Sequence, residues 1–479
     1  MRIDRQFSMN EDFQWNNRDE HEELLTERFE KMLKEGDYAY FDAEEFESII
    51  EHYQENFDSH YIRLAIDYAI EQHPNNAALK IRYARQLAID NRFIESLEIL
   101  NKLEVIEPND VDIIMTKGTV YSMMLEFEKA VNTYKKALNL VDNDELEDIY
   151  ATIAYEYENL GRYDNSIKYL KKALEINPQS DALLYEMGLC FEMLKQPEEG
   201  IKFFIDFTDK DPYNIAAWFN LGLIYQQMDL FEKSIDALEY VLAIDHTHIP
   251  AYLSIAHGWS NLGEYAKAIE IYQETFEYEK PDGMTLYYIG ECYEKMKDYR
   301  NALIHYNNSL ELDDKLAEPW AGIGVVFDEE GNTKTAVKYL NKAIELDPLN
   351  TEFLLIQADM YIKLHHYQKA ADCYRKVEEI DPLDPDLWQE YSNLYVLQTD
   401  YDKAIQVLRK GLNLQPLNAD ILYRLAVVYF LNNNTLQANY FLGNALELNY
   451  EGHLEMIAYY PDIVKYDKVV DMIKLYSPH

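Results

Sequence analysis

This sequence predicts an all-α fold, an array of stacked helix hairpins, on three observations. The chain overlays on itself with a period of 34 residues. Apolar residues within each repeat recur at i, i+3, i+4 and i+7, which gives every helix one buried face. Helix breakers are scarce, with 16 glycines and 14 prolines in 479 residues, while 48% of the chain is apolar. Length alone suggests about three globular domains, but internal repetition overrides that expectation.

The period is clearest at a small residue inside each first helix: Ala84, Gly118, Ala154, Gly188, Gly222, Ala256, Gly290, Gly324, Ala358, Ser392 and Ala426. One interval, Gly118 to Ala154, is 36 residues, which fits a two-residue insertion in the loop Val141 to Leu146. Three positions later stands an aromatic, as at Tyr121, Tyr157, Phe191, Tyr225, Trp259, Tyr293, Phe327, Tyr361, Tyr395 and Tyr429, with Leu87 the exception. The second helix carries its own small residue, as at Ala130, Gly200, Ala268, Ala302, Ala336, Ala370, Ala404 and Ala438. Small side chains let paired helices approach closely, and the aromatics fill the groove beside them. Many units close on proline, at Pro108, Pro178, Pro212, Pro348, Pro382 and Pro416, which disfavours helix at the preceding residue. Turns within units carry Gly161, Gly263, Gly331, Asn91 or Asn433, residues that tolerate a positive φ.

These landmarks resemble the tetratricopeptide-repeat (TPR) family, whose consensus places small residues, aromatics and a terminal proline at the same offsets. The resemblance implies a right-handed superhelical solenoid of about twelve hairpins with a C-terminal capping helix, the first helices lining its concave side. Residues 77–452 read as eleven units starting near 77, 111, 147, 181, 215, 249, 283, 317, 351, 385 and 419. Residues 43–76 read as a divergent unit that keeps Phe46, Tyr53, Ala69 and Pro74 but has Ile50 in the small position. Residues 1–42 are an acidic extension or cap with a helical pattern from Glu20 to Leu33, and 453–479 are capping helices with an amphipathic run from Val464 to Tyr476. One unit cannot bury its own apolar face, so neighbours must share a core.

Acidic residues outnumber basic ones 87 to 44, a formal charge of −43 that repels nucleic acid and anionic lipid. The N-terminus shows no signal-peptide pattern and no apolar run is long enough to span a bilayer, so the expected location is the cytoplasm. Cys190, Cys292 and Cys373 are far apart and odd in number, which argues for buried thiols.

Catalytic and metal signatures are weak. Gly322-Ile323-Gly324 lacks the third glycine of a dinucleotide loop, and His21-Glu22 has Leu25 where a zinc-protease helix needs histidine. His246, His248 and His257 lack a nearby cysteine or carboxylate at ligand spacing, and His365 and His366 fall at a turn. The expectation is therefore no enzyme, no cofactor and no metal.

On a first helix, positions three before, one after and four after the small residue should face the groove. The candidate partner-binding residues are Tyr155 and Glu158; Tyr185, Leu189 and Glu192; Phe219, Leu223 and Gln226; His257; Tyr287, Glu291 and Glu294; Asp328; Asp359; Gln389 and Asn393; and Tyr423 and Phe430. Some TPR co-chaperones hold acidic peptide tails with lysine and asparagine at the first two positions. Here only Asn393 matches, beside Gln389, so that specificity is not implied. Rings mixed with carboxylates suit a protein or peptide with basic and apolar anchors, and the reading is a non-catalytic scaffold or adaptor. A ligand-responsive sensor, an enzyme with an unrecognised carboxylate site, and self-association through a terminal unit stay open.

Overall fold

The computed structural model describes residues 24–36 and 38–477, without the side chains of 143 and 144. Every regular element among the described residues is helical. The chain divides into two compact units after His246. In the first, a helix over 24–35 precedes six hairpins: Ala43–Glu55 with Ser59–Gln72, Ala77–Ile89 with Phe93–Ile106, Val111–Met123 with Phe127–Ala137, Asn143–Asn159 with Tyr163–Ile176, Asp181–Met193 with Pro197–Thr208, and Ile215–Gln227 with Phe231–Ile244. The second holds Ile249–Asn261 with Tyr265–Glu274, Gly283–Lys295 with Tyr299–Leu312, Ala317–Glu329 with Thr333–Leu346, Thr351–Lys363 with Tyr367–Ile380, Leu387–Leu397 with Tyr401–Leu414, and Ala419–Leu431 with Thr435–Leu448. His453–Tyr459 and Asp467–Leu475 follow.

The small residues sit where two helices cross. Ala84, Ala154, Ala256, Ala358, Ser392 and Ala426 are fully buried. At Gly222 an added Cβ would lie 2.6 Å from Leu238 Cγ of the second helix, and at Gly290 it would lie 2.7 Å from the Tyr306 ring. Such contacts leave no room for a methyl group. The aromatic three residues on has a partner that the repeat pattern alone did not suggest. In five hairpins a lysine of the second helix stands over it: Lys129 on Tyr121, Lys233 on Tyr225, Lys267 on Trp259, Lys369 on Tyr361 and Lys403 on Tyr395. Each contact contributes about 0.5–1 kcal/mol at an exposed site.

Between units, the residue two after the closing proline often caps the next helix. The side chains of Asn76, Asp110, Asn214, Asn350 and Asn418 accept a backbone N–H from the first turn that follows. Removing such a cap costs about 1 kcal/mol. Within units, every turn places one residue at positive φ, in the order Phe57, Asn91, Leu125, Gly161, Lys195, Asp229, Gly263, Lys297, Gly331, His365, Thr399 and Asn433. The amide three beyond the last helical residue then reaches back to the aromatic position, as Asn332 N to Phe327 O at 2.8 Å. Seven of these turns carry neither glycine nor asparagine, because the paired helices impose the left-handed geometry on whatever residue stands there.

Three local expectations change. The insertion expected in a loop at Val141 to Leu146 lies largely within helix, since Asn143–Asn159 starts early and the preceding helix stops at Ala137. The helix expected near 385 begins at Leu387, because Asp384 Oδ1 accepts the amides of Asp386 and Leu387 and holds a turn ahead of it. The C-terminal run is broken: a 3-10 turn at Pro461–Lys465 is separated from the last helix by Tyr466 in extended conformation.

At the front, the helix over 24–35 caps the stack by burying Phe29 among Phe41, Phe46, Tyr53 and Tyr68. Met1 to Glu23, with His21-Glu22 and the start of the Glu20 pattern, lie outside the described residues. The three cysteines are buried as free thiols, and burial pushes Cys190 up to about 12 and Cys292 and Cys373 up to about 11.

Gly222→Leu should destabilise the protein by about 1–3 kcal/mol through overpacking against Leu238, read as a lower thermal midpoint. Leu125→Gly should instead stabilise, by up to about 1 kcal/mol, since Leu125 is 74% exposed and pays the left-handed penalty for little burial. Gly331→Val should reverse that sign, and an unchanged melt for it would show that the turn is unstrained.

Candidate functional site

The candidate groove residues fall into three settings. In the first unit they form an open apolar and aromatic surface. Tyr155, Tyr185, Leu189 and Glu192 are exposed, and Phe219, Leu223 and Gln226 are half-buried. Tyr185 and Phe219 meet edge to face at 6.2 Å between ring centroids. Glu158 points elsewhere: its Oε1 accepts the Ser166 hydroxyl at 2.6 Å from the second helix of its own hairpin. In the second unit, His257 is exposed on its first helix.

At the C-terminal end the surface is already covered. Tyr423 is 3% exposed, and its hydroxyl donates to Asn449 O at 2.6 Å. Phe430 is also buried, against the Tyr466 ring at 4.9 Å. Tyr459, from the helix after the last hairpin, donates to Asn393 Oδ1 at 3.2 Å and lies under the Arg424 guanidinium, whose Nη2 donates to Gln389. Tyr423, Phe430 and Asn393 are therefore packed by the chain's own terminal segment, and Gln389 is held by Arg424 of the neighbouring first helix, instead of lining a free wall. Periodicity finds the face of a helix but not what a distant segment lays across it.

Within the second unit lies a pocket of about 520 Å³, walled mainly by the helices Gly283–Lys295, Ala317–Glu329 and Thr351–Lys363. It brings together Tyr287, Glu291, Glu294, Asp328 and Asp359 from the groove pattern. Sequence reasoning missed Lys295, Glu318, Glu329, Glu352 and Lys363, which complete the lining. A signal existed: these residues stand six before or five after the small residue, one helical turn from the positions chosen, and a wide groove exposes that flank too. Seven carboxylates and two lysines line the pocket.

Its electrostatics are uneven. Glu294 Oε2 accepts the Tyr306 hydroxyl at 2.7 Å, and Tyr306 stacks on Tyr287 at 5.7 Å. Tyr287 thus belongs partly to the core, unlike Tyr185. Burial raises the Glu291 pKa, with Lys295 opposing the shift. Glu294 is raised as well, chiefly by burial and against the hydrogen bond from Tyr306. Lys363 Nζ bridges Asp328 Oδ2 and Asp359 Oδ2, each at 2.7 Å. Burial alone would lower the Lys363 pKa, but the two aspartates carry it above the ordinary lysine value. Among the described residues, no group of three or more His, Cys, Asp or Glu side chains is placed to hold a metal ion. No described helix is long and apolar enough to cross a membrane.

Stacked helix pairs with a left-handed turn in each, and a small-residue crossing in all but the first, define a helical-repeat protein. Sequence comparison gives the family. Residues 147–180, 215–248, 284–312, 317–348 and 351–382 match the tetratricopeptide repeat, and 393–433 match a TPR repeat. The chain carries multiple tetratricopeptide repeats. It is 26% identical over 118 residues to human tetratricopeptide repeat protein 16 and 29% identical over 119 residues to the Macaca fascicularis protein. Each match takes in 22% of this chain and only 14% of the relative's length. Similar solved structures include the APC/C hetero-tetramer Cut9–Hcn1, at 16% identity and a TM-score of 0.41, covering 81% of this chain and 90% of that one. Another is the human IFIT1 dimer with PPP-AAAA, at 18% identity and a TM-score of 0.39, covering 71% and 90%.

A carboxyl group whose folded pKa is raised contributes most below its unfolded value, near 4.5, and costs stability as pH rises through the raised value. Glu291→Gln should therefore gain stability over the parent at neutral pH, and the gain should vanish in acid. Denaturant melts of both proteins across that range check this, and a difference that does not depend on pH would show that Glu291 is not strained.

Proposed function

We propose that the protein is a non-catalytic scaffold that holds a peptide segment of a partner protein against its first-helix surface. The observation that carries this reading is the pocket between three successive first helices, which are packed at their small residues and still present polar and aromatic side chains to solvent. Exposed Tyr185 with Phe219 supplies a second contact zone in the other unit, of the ring-rich kind that anchors partners. Shared packing between neighbours keeps such a surface preformed, so a guest bears less of the ordering cost. A formal charge of −43 favours basic partners and opposes phosphate-rich ones. The repeats occupy most of the described chain, and the family they belong to is built from interaction modules of this kind.

Panning a displayed peptide library against the full chain should enrich saturable binders, measured afterwards by fluorescence anisotropy. Tyr185→Ala or Phe219→Ala should weaken binders seated on the first unit by about 1–3 kcal/mol while leaving the thermal midpoint nearly unchanged. A library that yields no saturable binder would defeat the scaffold reading.

A further inference from the structure

The acidic pocket of the second unit has one feature that the needs of the fold do not explain. Asp328 projects from the helix Ala317–Glu329 with its side chain 7% exposed. Its Oδ2 accepts Lys363, while its Oδ1 is buried and has no hydrogen-bond partner. Leaving a buried carboxylate oxygen unpaired is costly, and stable folds seldom do so without use for it. Lys363 itself is 47% exposed and rests on a flexible stem. It therefore sits as a displaceable cation on two carboxylates, one of which is only half satisfied.

We propose that this pocket receives an arginine side chain of the partner segment, a specificity that rests on the scaffold reading above. Three physical points select guanidinium over other cations. A planar guanidinium offers five donors and can pair with two oxygens of one carboxylate at once, which suits Asp328 when Lys363 swings aside. A lysine ammonium would repeat what Lys363 already does and would leave Oδ1 unserved. Tyr287 in the same wall offers a ring on which a guanidinium can lie. The chain uses the same pairing nearby, where the Arg424 guanidinium lies 3.2 Å from the Tyr459 ring centroid and donates to Gln389. Further carboxylates at Glu291, Glu318 and Glu352 supply the field that draws a cation in.

Titration calorimetry of the full chain tests this with three small probes: Nα-acetyl-arginine amide, the neutral isostere Nα-acetyl-citrulline amide, and Nα-acetyl-lysine amide. The arginine probe should bind saturably and at least about tenfold more tightly than the other two, with affinity falling as salt rises. Asp328→Asn should weaken it at least about tenfold. Lys363→Met should tighten it several-fold, because the resident competitor is gone, and a damaged fold cannot produce that result. Equal binding of arginine and citrulline probes, preference for lysine, or weaker binding in Lys363→Met would each overturn the proposal. If library peptides bind the full chain but ignore Asp328→Asn and Lys363→Met, the scaffold reading stands and the arginine pocket falls. If no peptide binds yet the arginine probe does, the reverse holds.

Discussion

Close approach of two helix backbones at one small residue, in every hairpin but the first, is the constraint on which most other features depend. At Gly222 or Gly290 the neighbouring side chain occupies the space a Cβ would need, so the two helices are held at a fixed separation. The paired helices also set the turn geometry, with φ positive at a corresponding residue whether it is Gly331, Leu125 or Thr399, and at Phe57 even where Ile50 takes the small position. It also sets the distance from the second-helix lysine to the first-helix ring, so Lys267 finds Trp259 and Lys403 finds Tyr395 by the same step. Local strain at the turns is offset by burial shared between neighbours.

Much of this was legible in the sequence because the repeat multiplies a weak signal. One alanine in a helix means little, but a small residue recurring from Ala84 to Ala426 marks a crossing each time. Helix positions and the buried face followed from periodicity alone. What escaped was whatever depends on the particular residue in a frame slot. Phe57 and Thr399 give no hint of a left-handed turn, since propensity argues against it and only the packed helices enforce it. Asn143 gives no hint that an insertion would extend a helix instead of a loop.

The candidate site was legible in part for a related reason. A rule of three groove positions found Tyr287, Glu291, Glu294, Asp328 and Asp359, which do share one pocket. It could not find Lys363, whose importance comes from bridging two acids on different helices, a relation that spacing within one helix does not encode. Nor could it foresee that Tyr423 and Phe430 would be roofed over, because the segment that covers them lies outside the repeats. Periodic sequence reveals a scaffold's walls better than its contents.

The terminal segment gives the second unit a direction. By placing Tyr459 on Arg424 and Asn393, the chain sets a stop at one end of that unit's inner face. The helices Gly283–Lys295, Ala317–Glu329 and Thr351–Lys363 wall an open pocket, whereas Leu387–Leu397 and Ala419–Leu431 carry a tyrosine laid across them. If a guest seats on the open helices as proposed above, a segment long enough to reach Tyr459 must turn outward or dislodge a ring already in place.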